Sequence, residues 1–146
     1  MPWVISFIAA WILFFALVDL NKLNTYIYGG LMSLVLGSIV DYGGQRLGLY
    51  SFYHIIIPWF TCSSFYKFGP IFTMGIVFSQ YVPRDKRLQV LNIFITSILY
   101  AFMEISIIST GAAEYKHWSI FASFIIDIFA FTSLTWVTVT FLRNEK

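Results

Sequence analysis

Two carboxylates stand among apolar neighbours: Glu104 follows the uncharged run 88–103, and Asp127 interrupts the apolar run 118–142. On insertion scales a carboxylate near the middle of a bilayer costs about 2.5–3.5 kcal/mol, so each must be protonated, paired or hydrated. Asn92, Thr96, Tyr100 and Glu104 recur every four residues, with Gln89 one turn earlier, and Ser119, Ser123 and Asp127 repeat that interval. Such spacing keeps side chains on one slowly drifting helix face. Each acid therefore ends a polar seam that should face protein or water. Glu104, Asp127, Tyr100, Thr96, Asn92 and Ser123 form the candidate intramembrane pocket.

Three kinds of chemistry fit this set. The first is a proton or cation path in which Glu104 and Asp127 change protonation and histidines relay at the mouth. The second is metal coordination by His54 and His117 with carboxylates, for which the segment 114–117 supplies no helical His-x-x-x-His pair. No metal site is assigned. The third is purely structural, with both acids hydrogen-bonded to neighbouring Ser, Thr or Tyr hydroxyls. Counting 1.5 Å per residue from Thr110 and Trp118 places Glu104 ~9 Å and Asp127 ~14 Å below the helix ends. Asp41, His54, Glu114 and His117 fall nearer those ends and would form the pocket mouth.

Catalytic signatures are missing from the sequence. There is no glycine-rich phosphate loop, no Gly-x-Ser-x-Gly elbow and no His-Glu-x-x-His pair, so no catalytic residue and no cofactor are assigned. Ser63 and Ser64 follow Cys62 without a nearby base. A single cysteine excludes an internal disulfide and a multi-cysteine metal site. The turn Arg84-Asp-Lys-Arg87 is basic enough to meet an anionic headgroup, but basic turns are the ordinary result of membrane insertion. Gly29, Ser33 and Gly37, four apart, allow close approach of another helix, either inside the bundle or from a second copy or a membrane partner protein.

The elements that would position these residues follow from composition. Of 146 residues 59% are hydrophobic and 11% charged, where a soluble domain carries roughly 25% charged residues. At ~20 residues per crossing the chain has room for five or six spans in a single domain, 1–146, with the lipid bilayer as its principal partner. A net charge of +2, spread mainly between apolar runs, gives no nucleic-acid footprint. The expected fold is an all-α polytopic transmembrane helical bundle with helices at about 3–20, 24–41, 62–82, 88–110 and 118–142. The N-terminus lacks a basic signal region and is read as a retained first helix. Residues 47–83 fall short of two spans and are interrupted by Pro58, Lys67, Gly69 and Pro70, so residues 50–60, rich in aromatics, are read as an interfacial or re-entrant segment before the third span.

With five spans, Lys22, Arg84, Lys86, Arg87, Arg143 and Lys146 collect on one side against Arg46, Lys67 and Lys116 on the other. Short cytoplasmic loops hold the basic excess, which places the C-terminus in the cytoplasm and the N-terminus outside. A six-span arrangement keeps the tail inside and moves the N-terminus to the cytoplasm.

Two stretches, Phe68-Gly-Pro-Ile-Phe-Thr-Met-Gly to Gln80-Tyr-Val-Pro and Glu104 through Tyr115-Lys-His-Trp-Ser119, resemble a functionally uncharacterised family of small polytopic membrane proteins from spore-forming Gram-positive bacteria. The resemblance covers roughly the C-terminal half and implies about five spans in a bacterial plasma membrane, without carrying over any activity. The expectation is a plasma-membrane protein that handles a proton, cation or small polar molecule through an outward-facing pocket. The alternative is a non-catalytic accessory subunit of a membrane complex.

Overall fold

The computed structural model describes residues 2–59 and 62–143. Phe60, which closes the expected interfacial segment, and Lys146, which was counted with the tail, lie outside the described residues. The described residues are mostly helical and form five helical rods. The first, α1 (Pro2–Leu17), starts on a proline, which suits a position whose N–H would have no helical acceptor. A 3₁₀ turn, Leu20–Lys22, follows, capped by the Asp19 carboxylate accepting from the Asn21 N–H at 3.0 Å. Next, α2 (Leu23–Arg46) runs five residues beyond its expected end at Asp41. Nothing in Tyr42 to Arg46 stops a helix. Termination comes at Gly48, whose φ of +69° is readily adopted by glycine, with the Leu49 N–H returning to the Gly44 carbonyl at 2.9 Å.

The third rod contains a widened turn. The helix α3 (Ser64–Tyr66) passes through a π turn, Lys67–Ile71, into α4 (Phe72–Gln80). Pro70 lies inside that turn. Proline has no N–H to donate and its ring crowds the carbonyl four residues back, so a local π geometry lets the rod continue where an α-helix would kink. The last two rods are α5 (Lys86–Ser109), capped by Asp85, and α6 (Ile120–Val137), capped by Ser119 and extended by a π turn, Thr138–Leu142.

The fold is not wholly helical. Strand β1 (Tyr50–Phe52) pairs antiparallel with β4 (Ala113–Tyr115), and β2 (Pro58–Trp59) with β3 (Cys62–Ser63). Cys62 and Ser63, expected to begin the third helix, are extended instead. A chain segment leaving α2 can satisfy its backbone groups against the α5–α6 connection, and it does so through this ladder.

Successive rods run in opposite directions. The Trp3 indole N–H donates to the Tyr53 carbonyl at 2.7 Å, so α1 begins beside the strands. The Tyr81 hydroxyl donates to the Leu17 carbonyl at 2.6 Å, and the Arg143 guanidinium donates to the carbonyls of Val82 and Pro83. The end of α1, the α4–α5 turn and the end of α6 thus share the opposite end of the molecule, here called the turn end.

Three helical stretches, Leu20–Arg46, Lys86–Ser109 and Ile120–Leu142, are long and apolar enough to cross a bilayer, and Pro2–Leu17 is apolar but shorter. Large apolar side chains such as Ile12, Phe15, Leu99, Phe121 and Phe129 are exposed. Buried positions include Ser79, Ser97, Thr73, Thr135 and Thr138. The three threonines return their hydroxyls to the carbonyl four residues earlier at 2.7–2.8 Å. This inverted distribution, apolar outside with small polar residues within, is what packing in lipid favours.

The small-residue face of α2 is used within the chain. A Cβ built on Gly29 would stand 2.0 Å from Ser79 Oγ, and one on Gly75 would stand 2.7 Å from the Gly29 carbonyl oxygen and 2.1 Å from Ser33 Oγ. Gly37 faces Ile71 and the Lys67 ammonium. Helices α2 and α4 therefore approach backbone to backbone. Gly75→Ala is expected to destabilise the protein by about 1–3 kcal/mol through overpacking, seen as a lowered thermal unfolding midpoint in detergent. Gly43→Ala, with no neighbour within 4 Å of the added carbon, should not lower the midpoint and should raise it slightly through better helix propensity.

Candidate functional site

Helices α2 and α4 form one closely packed pair and α5 and α6 another. Between the pairs, toward the strand end, lies a cavity of about 120 Å³ lined by residues of both. Its floor includes Phe131 and Leu134, which belong to an apolar cluster with Phe78, Val82 and Ile93 that fills the space toward the turn end. Three helices each bring a carboxylate to its wall: Asp41 from α2, Glu104 from α5 and Asp127 from α6. Counted from Arg46, Ser109 and Ile120, they lie roughly 7–11 Å from the strand-side helix ends at 1.5 Å per residue.

Each carboxylate is held differently. Asp41 accepts the Lys67 ammonium on one oxygen and the Tyr50 hydroxyl, at 3.0 Å, on the other. Lys67 is 1% exposed and Asp41 14%, so this is a buried ion pair. Glu104 ends a chain of donors. The Trp118 indole N–H, which can only donate, reaches Ser123 Oγ at 2.9 Å. Ser123 and Tyr115 hydroxyls lie 3.0 Å apart, and the Tyr115 hydroxyl donates to Glu104 Oε2 at 2.7 Å. Because Tyr115 gives its single proton to Glu104, Ser123 must donate to Tyr115, which leaves the Ser123 oxygen to accept from Trp118.

Burial, reinforced by the neighbouring Glu104 charge, pushes the Tyr115 phenol above its ordinary range. Burial, then Asp41, does the same to Tyr50. Both remain neutral donors to their carboxylates at neutral pH. Asp127 contrasts with the other two, since its Oδ2 is buried with no hydrogen-bond partner among the described residues. Tyr66 and Tyr100 hydroxyls pair with each other at 2.6 Å along the same wall.

Tyr100, Glu104, Ser123, Asp127 and Asp41 thus meet at one cavity, which Ser33 and Gly37 also line. Asn92 and Thr96 are half-buried on α5 and do not line it. The cause is helical drift: each four-residue step overshoots a full turn by about 40°, so three steps carry Asn92 roughly 120° away from Glu104. The expected mouth residues separate as well. Ala113 and Tyr115 point to the cavity, and strand alternation turns the intervening Glu114 away, where it accepts the Tyr53 hydroxyl at 2.9 Å. His54 and His117 are exposed and do not line the cavity. Among the described residues no three or more His, Cys, Asp or Glu side chains group so as to hold a metal ion.

Several wall residues carry little sequence signal. Lys67 reads as a loop charge, and its neighbours Tyr66 and Phe68 are the hint that it sits in a helix. Tyr50, Tyr115 and Trp118 reach the cavity only because β1 pairs with β4 across more than sixty residues of chain, a contact with no local pattern. Comparison of the chain with protein-family models, with curated proteins and with solved structures gives no match.

The ion pair predicts an asymmetric mutational response. Lys67→Met leaves Asp41 buried without its counter-charge and should cost about 3–5 kcal/mol, read as loss of folded protein on extraction. The double variant Lys67→Met/Asp41→Leu removes both charges and should recover most of the folded yield. A yield equally low in the double variant would show that the residues contribute mainly through shape.

Proposed function

We propose that this chain is a plasma-membrane protein of five spans, of the small polytopic bacterial kind, whose cavity takes up a proton, a cation or a small polar molecule from the outer side. Five antiparallel rods support the count. Two of them, Pro2–Leu17 and the rod from Ser64 to Gln80, are shorter than the ~20 residues of a typical span. Short spans are accommodated by local thinning of the bilayer at a fraction of a kcal/mol per Å. The strand segment with exposed Tyr53, His54, Ile56 and Ile57 then lies at the outer interface, where aromatic and mixed side chains are favoured.

Orientation follows from the loop charges. Lys22, Arg84, Lys86 and Arg87 lie toward the turn end with Arg143, and Lys146 follows in sequence. Lys67 is withdrawn from the opposite count by its ion pair, leaving Arg46 and Lys116 at the strand end. The positive-inside rule then puts the turn end in the cytoplasm and the cavity toward the outer face. In a Cys62→Ser background, an impermeant maleimide applied to intact cells should label Lys116→Cys and not Lys86→Cys. The reverse pattern would invert the orientation.

The observation that carries the functional reading is that Asp127, one of whose oxygens is buried without a hydrogen-bond partner among the described residues, lines the same cavity as Glu104. A buried carboxylate without a donor is costly, and a wall that holds it beside open space has a use for an incoming proton or cation. The small-residue face of α2 on which an accessory role would rest is covered by α4 of the same chain. In reconstituted vesicles, proton or cation flux should exceed that of protein-free vesicles, and Glu104→Gln and Asp127→Asn should each reduce it at least tenfold. Equal, background flux in all three proteins would sink the transport reading.

A further inference from the structure

We propose that the cavity's occupant is a small organic ammonium group, an inference that rests on the pocket reading above. Charge excludes one class directly. Lys67 is committed to Asp41, while Glu104 and Asp127 have no cationic side chain within ion-pair distance among the described residues. An anion would meet two carboxylates and no free cation. A bare divalent metal ion is poorly served too, because hard cations require about six oxygens at 2.0–2.6 Å and, among the described residues, no three His, Cys, Asp or Glu side chains group so as to hold one.

The rest of the wall suits a cation with an apolar body. Tyr66, Tyr100, Tyr115, Trp118 and Phe131 line the cavity, and the polar tips of the first four are bonded within the wall, with one proton of the Tyr66–Tyr100 pair left to give. Tyr66 and Tyr100 bond each other, Tyr115 bonds Glu104 and Trp118 bonds Ser123. The Tyr66 ring already faces the Lys67 ammonium at 6.0 Å, so an incoming cation would meet the rings of Tyr100, Tyr115 and Trp118. Aromatic surface attracts weakly hydrated cations through the negative face of the ring, whereas a small inorganic ion keeps its water. The Asp127 side chain lines the cavity and, on losing its proton to solvent as the cation enters, supplies the counter-charge. At about 120 Å³ the space greatly exceeds the roughly 10–15 Å³ that admits one water, so an occupant of several heavy atoms fits. The same ammonium chemistry comes either from a free amine or from an amine-bearing lipid headgroup.

The test is calorimetric titration of the purified full chain, in a detergent free of amines, with choline and with its neutral isostere 3,3-dimethyl-1-butanol. Choline should bind at least tenfold more tightly than the alcohol, a comparison that needs no variant. Asp127→Asn and Glu104→Gln proteins that keep the wild-type size-exclusion profile should each weaken choline at least tenfold. Repeating the titration in nanodiscs of phosphatidylglycerol, with and without phosphatidylethanolamine, separates the sources. Competition by phosphatidylethanolamine assigns the site to a headgroup, and equal affinity assigns it to a free amine. Equal binding of choline and the alcohol, or unchanged choline affinity in both folded variants, overturns the ammonium assignment. Absent choline binding alongside retained carboxylate-dependent vesicle flux overturns it while the pocket reading stands, and absence of both removes the two together.

Discussion

A lysine ammonium with 1% exposure cannot rely on solvent, and the Asp41 carboxylate is the counter-charge that keeps Lys67 tolerable inside the protein. Keeping that pair closed ties together elements distant in sequence. Asp41 sits near the end of α2, Lys67 in the π turn of the third rod, and Tyr50 at the start of β1. The Tyr50 hydroxyl, shared between Asp41 and the Val40 carbonyl, fastens the strand segment onto the last turns of α2. Gly44 leaves room for that ring, since a Cβ there would stand 2.4 Å from it. The pair also shapes the chemistry of the cavity, because it occupies the nearby cation and leaves Glu104 and Asp127 without a cationic partner among the described residues.

Packing around the pair follows a division of labour between small and large residues. Where Gly29, Ser33, Gly75 and Ser79 meet, α2 and α4 come together with almost no side-chain thickness between them. Aromatic residues dominate elsewhere: Phe78 and Phe131 pack with ring centroids 4.8 Å apart between the two helix pairs, while Trp3, Phe52 and Tyr66 pack edge to face beside the strands. Offset and edge-to-face ring pairs are directional. The space remaining between the two helix pairs is the cavity, apolar toward its floor and polar toward the strands.

Within that chamber the donors are arranged in sequence. Trp118 fixes the direction of the Ser123 hydroxyl, which fixes Tyr115, which serves Glu104. Removing water from such a chain strengthens each link and raises the cost of any missing one. The unmatched oxygen of Asp127 therefore stands out as the wall's open valence.

Much of this was legible in residues alone. Long uncharged runs gave five helical stretches, because backbone in lipid must bond to itself. The four-residue spacing of Tyr100 with Glu104 and of Ser123 with Asp127 marked the seams that do face the cavity. Extrapolating those seams to Asn92 and Thr96 failed because helical drift accumulates, and grouping Glu114 at the mouth failed because a strand, with its period of two, turns it away, while His117 lies exposed in the bend that follows. The sequence by itself determined that the chain is dominated by apolar helices and that a few acids among them must be accommodated, since the cost of a charge in lipid depends only on residue type and depth. Tertiary structure alone decided that Lys67 is an interior cation, that Asp41 is its partner, and that Asp127 has no such partner among the described residues. Those outcomes depend on which side chains meet across tens of residues, and close contact between helices and strands is fixed by shape, which no local periodicity records.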